Sequence, residues 1–516
     1  MLTRSGLHFR SLSMTKRLLL NSLSGALLLL VNLVVAFLMS PIILRELGNR
    51  GYGIWEMILS FCGYLGILEL GVGPAIVRYV SRELANRNTE VLDRILASAF
   101  WGLVLVGGLA LIFLSVAALR PDIVLSVPSG EMEGLSLLLI IVGFSLCVQF
   151  VGALFVAYLM GSQEHFQINA LRFVLVPLQA IVVYYVLTRT DGFELNWLAG
   201  IGLLSNVSQY GIFATMVLRR PEVTLRREAF SWSTVRELYR FGANSLVLMV
   251  SGRIREQSLP LVIGHTLGPA SVVFYAIPKR LVDYARGFVL AMGKPLMPYL
   301  SAIDARRASG ERMAEWIPLS RAVSFLTVPG AMILFALGKP FLARWLGPSY
   351  AEGGQWVIVA LAVSFLLTGL FGNSAPVLLA SAQHGPPARK VLVISIAAVI
   401  VATPATKQMG VLGAAIVLAL ADLAGGWVFW QAASREIGIG LQEHLRTTVK
   451  PLLLPAVLMA AALGAGRMLY PAPEYFNLLR ILAGSIALYM AGVWRLGLAS
   501  TEREMMQAKL LSLFRR

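Results

Sequence analysis

Six basic residues fall inside long apolar stretches of this 516-residue chain: Arg253 and Arg255 in one, Lys279, Arg280, Arg286 and Lys294 in the next. A charge at mid-bilayer costs about 2.5–3.5 kcal/mol, so six facing lipid would cost roughly 15–20 kcal/mol. Most must therefore face protein, water or an interface. At 100° per residue, Lys279, Asp283, Arg286 and Lys294 share one helical stripe, on which one carboxylate opposes three cations. Such a surplus suits a mobile anion, for example a diphosphate held by charge-assisted hydrogen bonds. The competing reading is self-neutralisation, because Asp283 stands at helical spacing from both Lys279 and Arg286. Lys279 and Lys294 are also long enough to snorkel to opposite interfaces. Arg253 and Arg255 project about 160° apart on a helix, so only one of them lines a given cavity. Arg253 is preferred, with Glu256 at pairing distance in sequence, and Arg255 stays open.

Carboxylates in apolar stretches are the second group able to do chemistry. Glu56 and Glu69 lie in the second stretch, Asp283 in the eighth and Asp422 in the twelfth. Each is a candidate to carry a coupling proton or sodium ion, or to be a partner for an arginine. Gln149, Gln179, Asn206, Gln209 and Asn244 suit sugar hydroxyls, although interhelical hydrogen bonds are the commoner use of such residues. Trp55, Tyr64, Tyr79, Tyr275 and Tyr284 offer stacking surfaces or an interfacial belt. No metal or catalytic site is expected. The five histidines are scattered, Cys62 and Cys147 form no CxxC pair, and there is no HExxH or nucleophile elbow. Gly71-x-Gly73-Pro74 is not a phosphate loop, since no strand precedes it and no Gly-Lys-Ser/Thr follows. A bend or a close helix contact is expected there.

The elements that must position these residues are membrane spans. The chain is 57% hydrophobic and 14% charged, against about 25% charged in soluble domains. Windows of about 19 residues give about fourteen spans, the first at 18–43, the seventh at 241–263, the eighth at 272–298 and the last at 477–495. The first is too long for a signal-peptide core and is expected to be retained. With a cytoplasmic N-terminus, the loops on that side hold 29 Lys and Arg and the opposite loops hold 9. That is the bias of the positive-inside rule, and it places both termini in the cytoplasm. It also accounts for the net charge of +17 without nucleic acid as a partner.

The expected organisation is all-α and polytopic. A cytoplasmic N-terminus (1–17) precedes a six-helix lobe (18–218) and a cytoplasmic linker (219–240). A second six-helix lobe (241–433), a cytoplasmic loop (434–450), two further helices (451–495) and a cytoplasmic tail (496–516) complete the chain. In the linker, Thr234-x-x-Glu237 has the pattern of a capping box that would start a helix running into span seven. At an offset of 220 residues, Leu47-Gly48 aligns with Leu267-Gly268 and Tyr64 with Tyr284, an internal repeat of the kind transporters are built from.

The stretch Leu47-Gly48-Asn49-Arg50-Gly51-Tyr52-Gly53-Ile54-Trp55, with Gly63-Tyr64-Leu65-Gly66-Ile67-Leu68-Glu69-Leu70-Gly71-Val72-Gly73 and Val77-Arg78-Tyr79, resembles the polysaccharide transporter family. These are flippases of the multidrug/oligosaccharidyl-lipid/polysaccharide exporter superfamily. Arg344-Trp345-Leu346-Gly347-Pro348-Ser349-Tyr350-Ala351 is similar to the loop after the family's ninth helix, and Gly410-Val411-Leu412-Gly413-Ala414-Ala415 to the start of its twelfth. The resemblance implies two lobes around a central cationic cavity, rocking between inward- and outward-open states. Their cargo would be an undecaprenyl-diphosphate-linked oligosaccharide, an O-antigen, capsule or exopolysaccharide repeat unit, moved across the bacterial inner membrane. Expected partners are that lipid-linked oligosaccharide, membrane lipids and other polysaccharide assembly proteins. No cofactor is expected beyond H+ or Na+ as coupling ion, and no enzymatic activity. Three alternatives stay open. A peptidoglycan-precursor flippase fits the cations equally well. A cation-coupled multidrug exporter should instead present acidic groups. A membrane-embedded polysaccharide polymerase or ligase should carry a long external loop, and the external loops here are short.

Overall fold

In hydrocarbon every backbone N–H and C=O must be satisfied within the protein, which leaves apolar runs of this length little choice but the helix. The computed structural model describes residues 14–69, 71–122, 134–190, 192–293, 309–371, 374–381 and 383–497, and contains no strand among them. In chain order the described helices of fifteen residues or more are α1 (Met14–Leu65), α2 (Val72–Asn86), α3 (Thr89–Ala117), α4 (Leu135–Gly161), α5 (His165–Leu187), α6 (Glu194–Leu218) and α7 (Trp232–Leu267). Then follow α8 (Val273–Gly293), α9 (Ser309–Trp345), α10 (Pro348–Leu370), α11 (Gly385–Met409), α12 (Val411–Ile437), α13 (Lys450–Leu469) and α14 (Tyr475–Gly492). Among the described residues, eleven helices are long and apolar enough to cross a membrane. The first of these, Leu20–Glu69, takes in both of the first two predicted spans. Helices α7 and α8, which correspond to predicted spans seven and eight, carry too many charges to be among the eleven.

Helix α1 is broken at Gly48, with φ 64° and ψ 176°. Only glycine enters that region without strain. Gly268, between α7 and α8, has φ 89° and ψ 157°. The repeat offset read from the sequence therefore pairs two glycines with the same rare backbone conformation.

The chain forms two compact units, residues 1–273 and 274–516. Helix α7 packs within the first. It and the 3-10 turn that follows it, Pro269–Val272, approach the second half of α1 closely: a Cβ on Gly264 would lie 2.2 Å from the Met57 sulfur, and one on Gly53 would lie 1.8 Å from the Pro269 carbonyl oxygen. The first unit's core gathers Ile76, Leu96, Leu154, Tyr158 and Phe213, each under 2% exposed. In the second unit α13 and α14 pack on α9 through Leu452, Met459 and Tyr489, whose hydroxyl donates to the Phe325 carbonyl at 3.0 Å.

The segment between α6 and α7 is strapped to the first unit. Arg220 donates to both oxygens of buried Glu164, at 3.1 and 2.7 Å, and the Tyr158 hydroxyl donates to Glu222 at 3.2 Å. Asp93 accepts from the backbone N–H groups of Thr224 and Leu225, both at 3.1 Å. Ser98 accepts from that of Ser231 at 3.0 Å. The capping-box expectation is corrected here. Helix α7 starts at Trp232, with Ser231 in extended conformation as its N-cap and no side-chain cap, so Thr234 already lies inside the helix. Glu237 accepts instead from the Tyr79 hydroxyl at 2.7 Å.

Because Gly53 meets backbone rather than a flexible side chain, Gly53→Ala must push the Pro269–Val272 turn away from α1. We expect it to lower the thermal midpoint of the detergent-solubilised protein by several degrees, about 1–3 kcal/mol of overpacking. Gly200→Ala, mid-helix with open space around it, should leave the midpoint unchanged or raised. Equal midpoints for both variants would remove this packing argument.

Candidate functional site

The site in the first unit is made by a broken helix. Helix α1 ends at Leu65, Gly66–Glu69 form a 3-10 turn, and Gly71 at φ 95° caps the start of α2. The bend expected at Gly71-x-Gly73-Pro74 is thus present. Irregular backbone at membrane depth is tolerated only where it is buried in protein or lines a water-filled cavity. Here it lines a cavity of about 340 Å³, to which Glu69, Gln149, Cys62, Phe150 and Arg253 contribute. Arg253 comes from α7 and makes no hydrogen bond or ion pair with a described residue. Glu69 likewise has no hydrogen-bond partner among the described residues, but the two charges interact through space. Tyr210 and Tyr239 also lie within the field of Glu69.

Helix α8 tells a different story. Lys279 Nζ lies 2.5 Å from Asp283 Oδ2. Arg286 Nη2 lies 3.2 Å from Asp422 Oδ2 on α12, and the Ser364 hydroxyl on α10 donates to the same carboxylate oxygen at 3.2 Å. The expectation of a stripe with only one carboxylate is therefore revised. Asp422 brings a second negative charge to that face, from a helix 136 positions along the chain. Counting phase on one helix does not see a partner on another.

The remaining sequence candidates are placed as follows. Arg255 and Glu56 are half-buried and engaged in contacts of their own. Lys294 lies outside the described residues, as does the side chain of Asn244. Of the polar residues considered for sugars, Gln149 lines the cavity. Gln179, Asn206 and Gln209 bond to Ser205, Ser145 and Arg172 between helices. Tyr64 bonds Ser258 and Tyr79 bonds Glu237, while Tyr275 is fully buried. Sequence reading did not anticipate the Arg220–Glu164 pair, whose partners stand 56 positions apart with no local motif to join them. No group of three or more metal-ligating side chains occurs among the described residues.

Comparison with known proteins places this geometry. The family model described as "Polysaccharide biosynthesis protein" matches residues 18–304, more than half of the chain. The chain belongs to the polysaccharide biosynthesis protein family. This agrees with the resemblance carried by Leu47–Trp55 and Gly63–Gly73. "Uncharacterized membrane protein EpsK" of Bacillus subtilis (strain 168) is 22% identical over 62% of this chain, which spans 64% of that relative's length. A Shigella flexneri protein named "Putative O-antigen transporter" is 19% identical over 63% of this chain and 76% of its own. Among solved structures, "Lipid II flippase MurJ, inward closed conformation" superposes with a TM-score of 0.71, covering 92% of this chain and 98% of that one at 13% identity. An inward-facing multidrug resistance MATE family transporter of the MOP superfamily gives 0.67, covering 78% of this chain and 94% of that one at 14% identity. Family and fold together make this a multi-pass membrane protein of polysaccharide biosynthesis.

If Arg286 and Asp422 act as a pair, truncating one should cost more than removing both. Arg286→Gln leaves a mostly buried carboxylate, and we expect Asp422→Asn added to it to restore much of the lost stability. The double-mutant cycle should give a coupling of about 0.5–3 kcal/mol, read from thermal midpoints in detergent. Strict additivity would contradict the pairing.

Proposed function

We propose that this protein is a flippase carrying an undecaprenyl-diphosphate-linked oligosaccharide, an O-antigen, capsule or exopolysaccharide repeat unit. It moves this cargo by alternating access from the cytoplasmic to the periplasmic leaflet of the bacterial inner membrane, with both of its termini in the cytoplasm. The observation that carries this reading is Arg253, a guanidinium without a hydrogen-bonded or ion-paired partner among the described residues, in a cavity of an apolar helical unit. A planar fork of donors at low dielectric is matched to phosphate oxygens. Family membership supports a glycan cargo, and Gln149 in the same cavity is suited to its hydroxyls. The protein catalyses no covalent step in this scheme.

Glu69 gives the site a means of coupling. Ionised, it offsets Arg253 and disfavours an anion. Protonated, it leaves the guanidinium unopposed. A proton taken up at Glu69 therefore favours the diphosphate, and one released favours its departure. Lys279–Asp283 and Arg286–Asp422 are internally balanced, and we assign them to the framework of the second unit ahead of the substrate. The diphosphate of a peptidoglycan precursor has the same chemistry, so the free guanidinium favours that second reading too.

Replacing Arg253 by Ala should reduce surface glycan by about 10–100-fold, the loss of one charge-assisted hydrogen-bonding group, at matched protein levels in the membrane. Glu69→Gln should retain binding of the lipid-linked glycan and lose its strengthening as pH falls. Normal surface glycan in Arg253→Ala would overturn the assignment. Rescue of a strain depleted of its lipid II flippase, without any effect on surface glycan, would favour the peptidoglycan precursor.

A further inference from the structure

At one end of the first unit, residues 78–94 and 219–240 together expose nine arginines but only three carboxylates, Glu90, Glu228 and Glu237. Orientation rules ask only that arginines stand in a loop on the right side. The structure does more, because it turns the local acids inward. Glu164 is 1% exposed under Arg220, and Glu83 is 4% exposed. Asp93 is spent on two backbone N–H groups, and Glu222 accepts from Tyr158. Arg82 pairs with Glu83 at 2.6 Å and Arg94 with Glu90 at 3.4 Å, and the outward face keeps a positive surplus that includes Arg226 and Arg227.

Aromatic side chains border it. Arg227 Cζ stands 5.9 Å from the ring centroid of Trp101, itself 37% exposed on α3. Phe230 and Trp232 meet edge to face at 5.3 Å, and Trp232 is 64% exposed. Exposed indoles beside arginines mark the depth where acyl chains give way to headgroups. Basic residues at that depth attract anionic lipid, a field that falls off within a Debye length.

We propose that this face is a docking surface for anionic phospholipid headgroups. Arg226 and Arg227 take the phosphates, and Trp101, Phe230 and Trp232 seat against the glycerol and upper acyl region. The surface is separate from the Arg253 cavity and does not depend on which glycan is carried.

The test uses the purified full-length chain in a neutral detergent. Phosphatidylglycerol should raise its thermal midpoint by about 2–4 °C, phosphatidylcholine should not, and 0.5 M NaCl in place of 0.1 M (a screening length shorter by about twofold) should reduce the shift. Arg226→Gln with Arg227→Gln should keep the wild-type midpoint in phosphatidylcholine and lose at least about half of the phosphatidylglycerol shift. Should that variant fold poorly, Arg226→Lys with Arg227→Lys retains the charge and must show the shift. An undiminished shift in the glutamine variant, the same shift with phosphatidylcholine, or no shift in the lysine variant overturns the proposal. A shift with inorganic phosphate or poly-L-glutamate but not with phosphatidylglycerol also overturns it, in favour of a free anion or an acidic protein.

Discussion

A charge inside a bilayer must be answered by the protein, and the structure is arranged around how each such charge is answered. Lys279 is met by Asp283, one turn along its own helix. Arg286 is met by Asp422, held in turn by Ser364. Arg253 and Glu69 share a cavity, and neither is hydrogen-bonded to a described residue. In the Lys279–Asp283 and Arg286–Asp422 pairs a cation meets a carboxylate. An unbonded cation beside an unbonded acid is the arrangement from which a change of protonation alters the affinity for an anion.

That cavity exists because the backbone is interrupted. The chain loosens into a 3-10 turn at Gly66–Glu69 and restarts after Gly71. Small residues let other elements come close just before the interruption, as at Gly63 against the Gln257 side chain and Gly53 against Pro269. The same unit therefore combines tight helix contact in one place with a cavity in the next. Close packing is what holds the gap open.

Much of this was legible in the sequence, for identifiable reasons. Apolar length announces a span, since the bilayer has one thickness. Gly71-x-Gly73-Pro74 announced a bend, because few other residues serve there. The all-α class and the family resemblance stood on such features. What escaped is what depends on partners distant in the chain. Thr234-x-x-Glu237 satisfied a local pattern, but Glu237 is claimed by Tyr79 from α2. The positive stripe on α8 was counted without Asp422; the sequence offered that carboxylate as a partner for an arginine, and the fold shows which one. Helix α7 lies in the first unit, where Gly264 lets it approach Met57 of α1 closely, a contact that no composition profile reports.

If a guanidinium at Arg253 waits for phosphate, the purified protein must distinguish lipids by that group alone. The direct measurement is affinity for undecaprenyl diphosphate against undecaprenol, by native mass spectrometry, in wild type and in Arg253→Ala. We expect wild type to prefer the diphosphate by about tenfold or more, and the preference to collapse in the variant. Equal affinity for the two lipids, or a preference that survives loss of Arg253, would contradict the account.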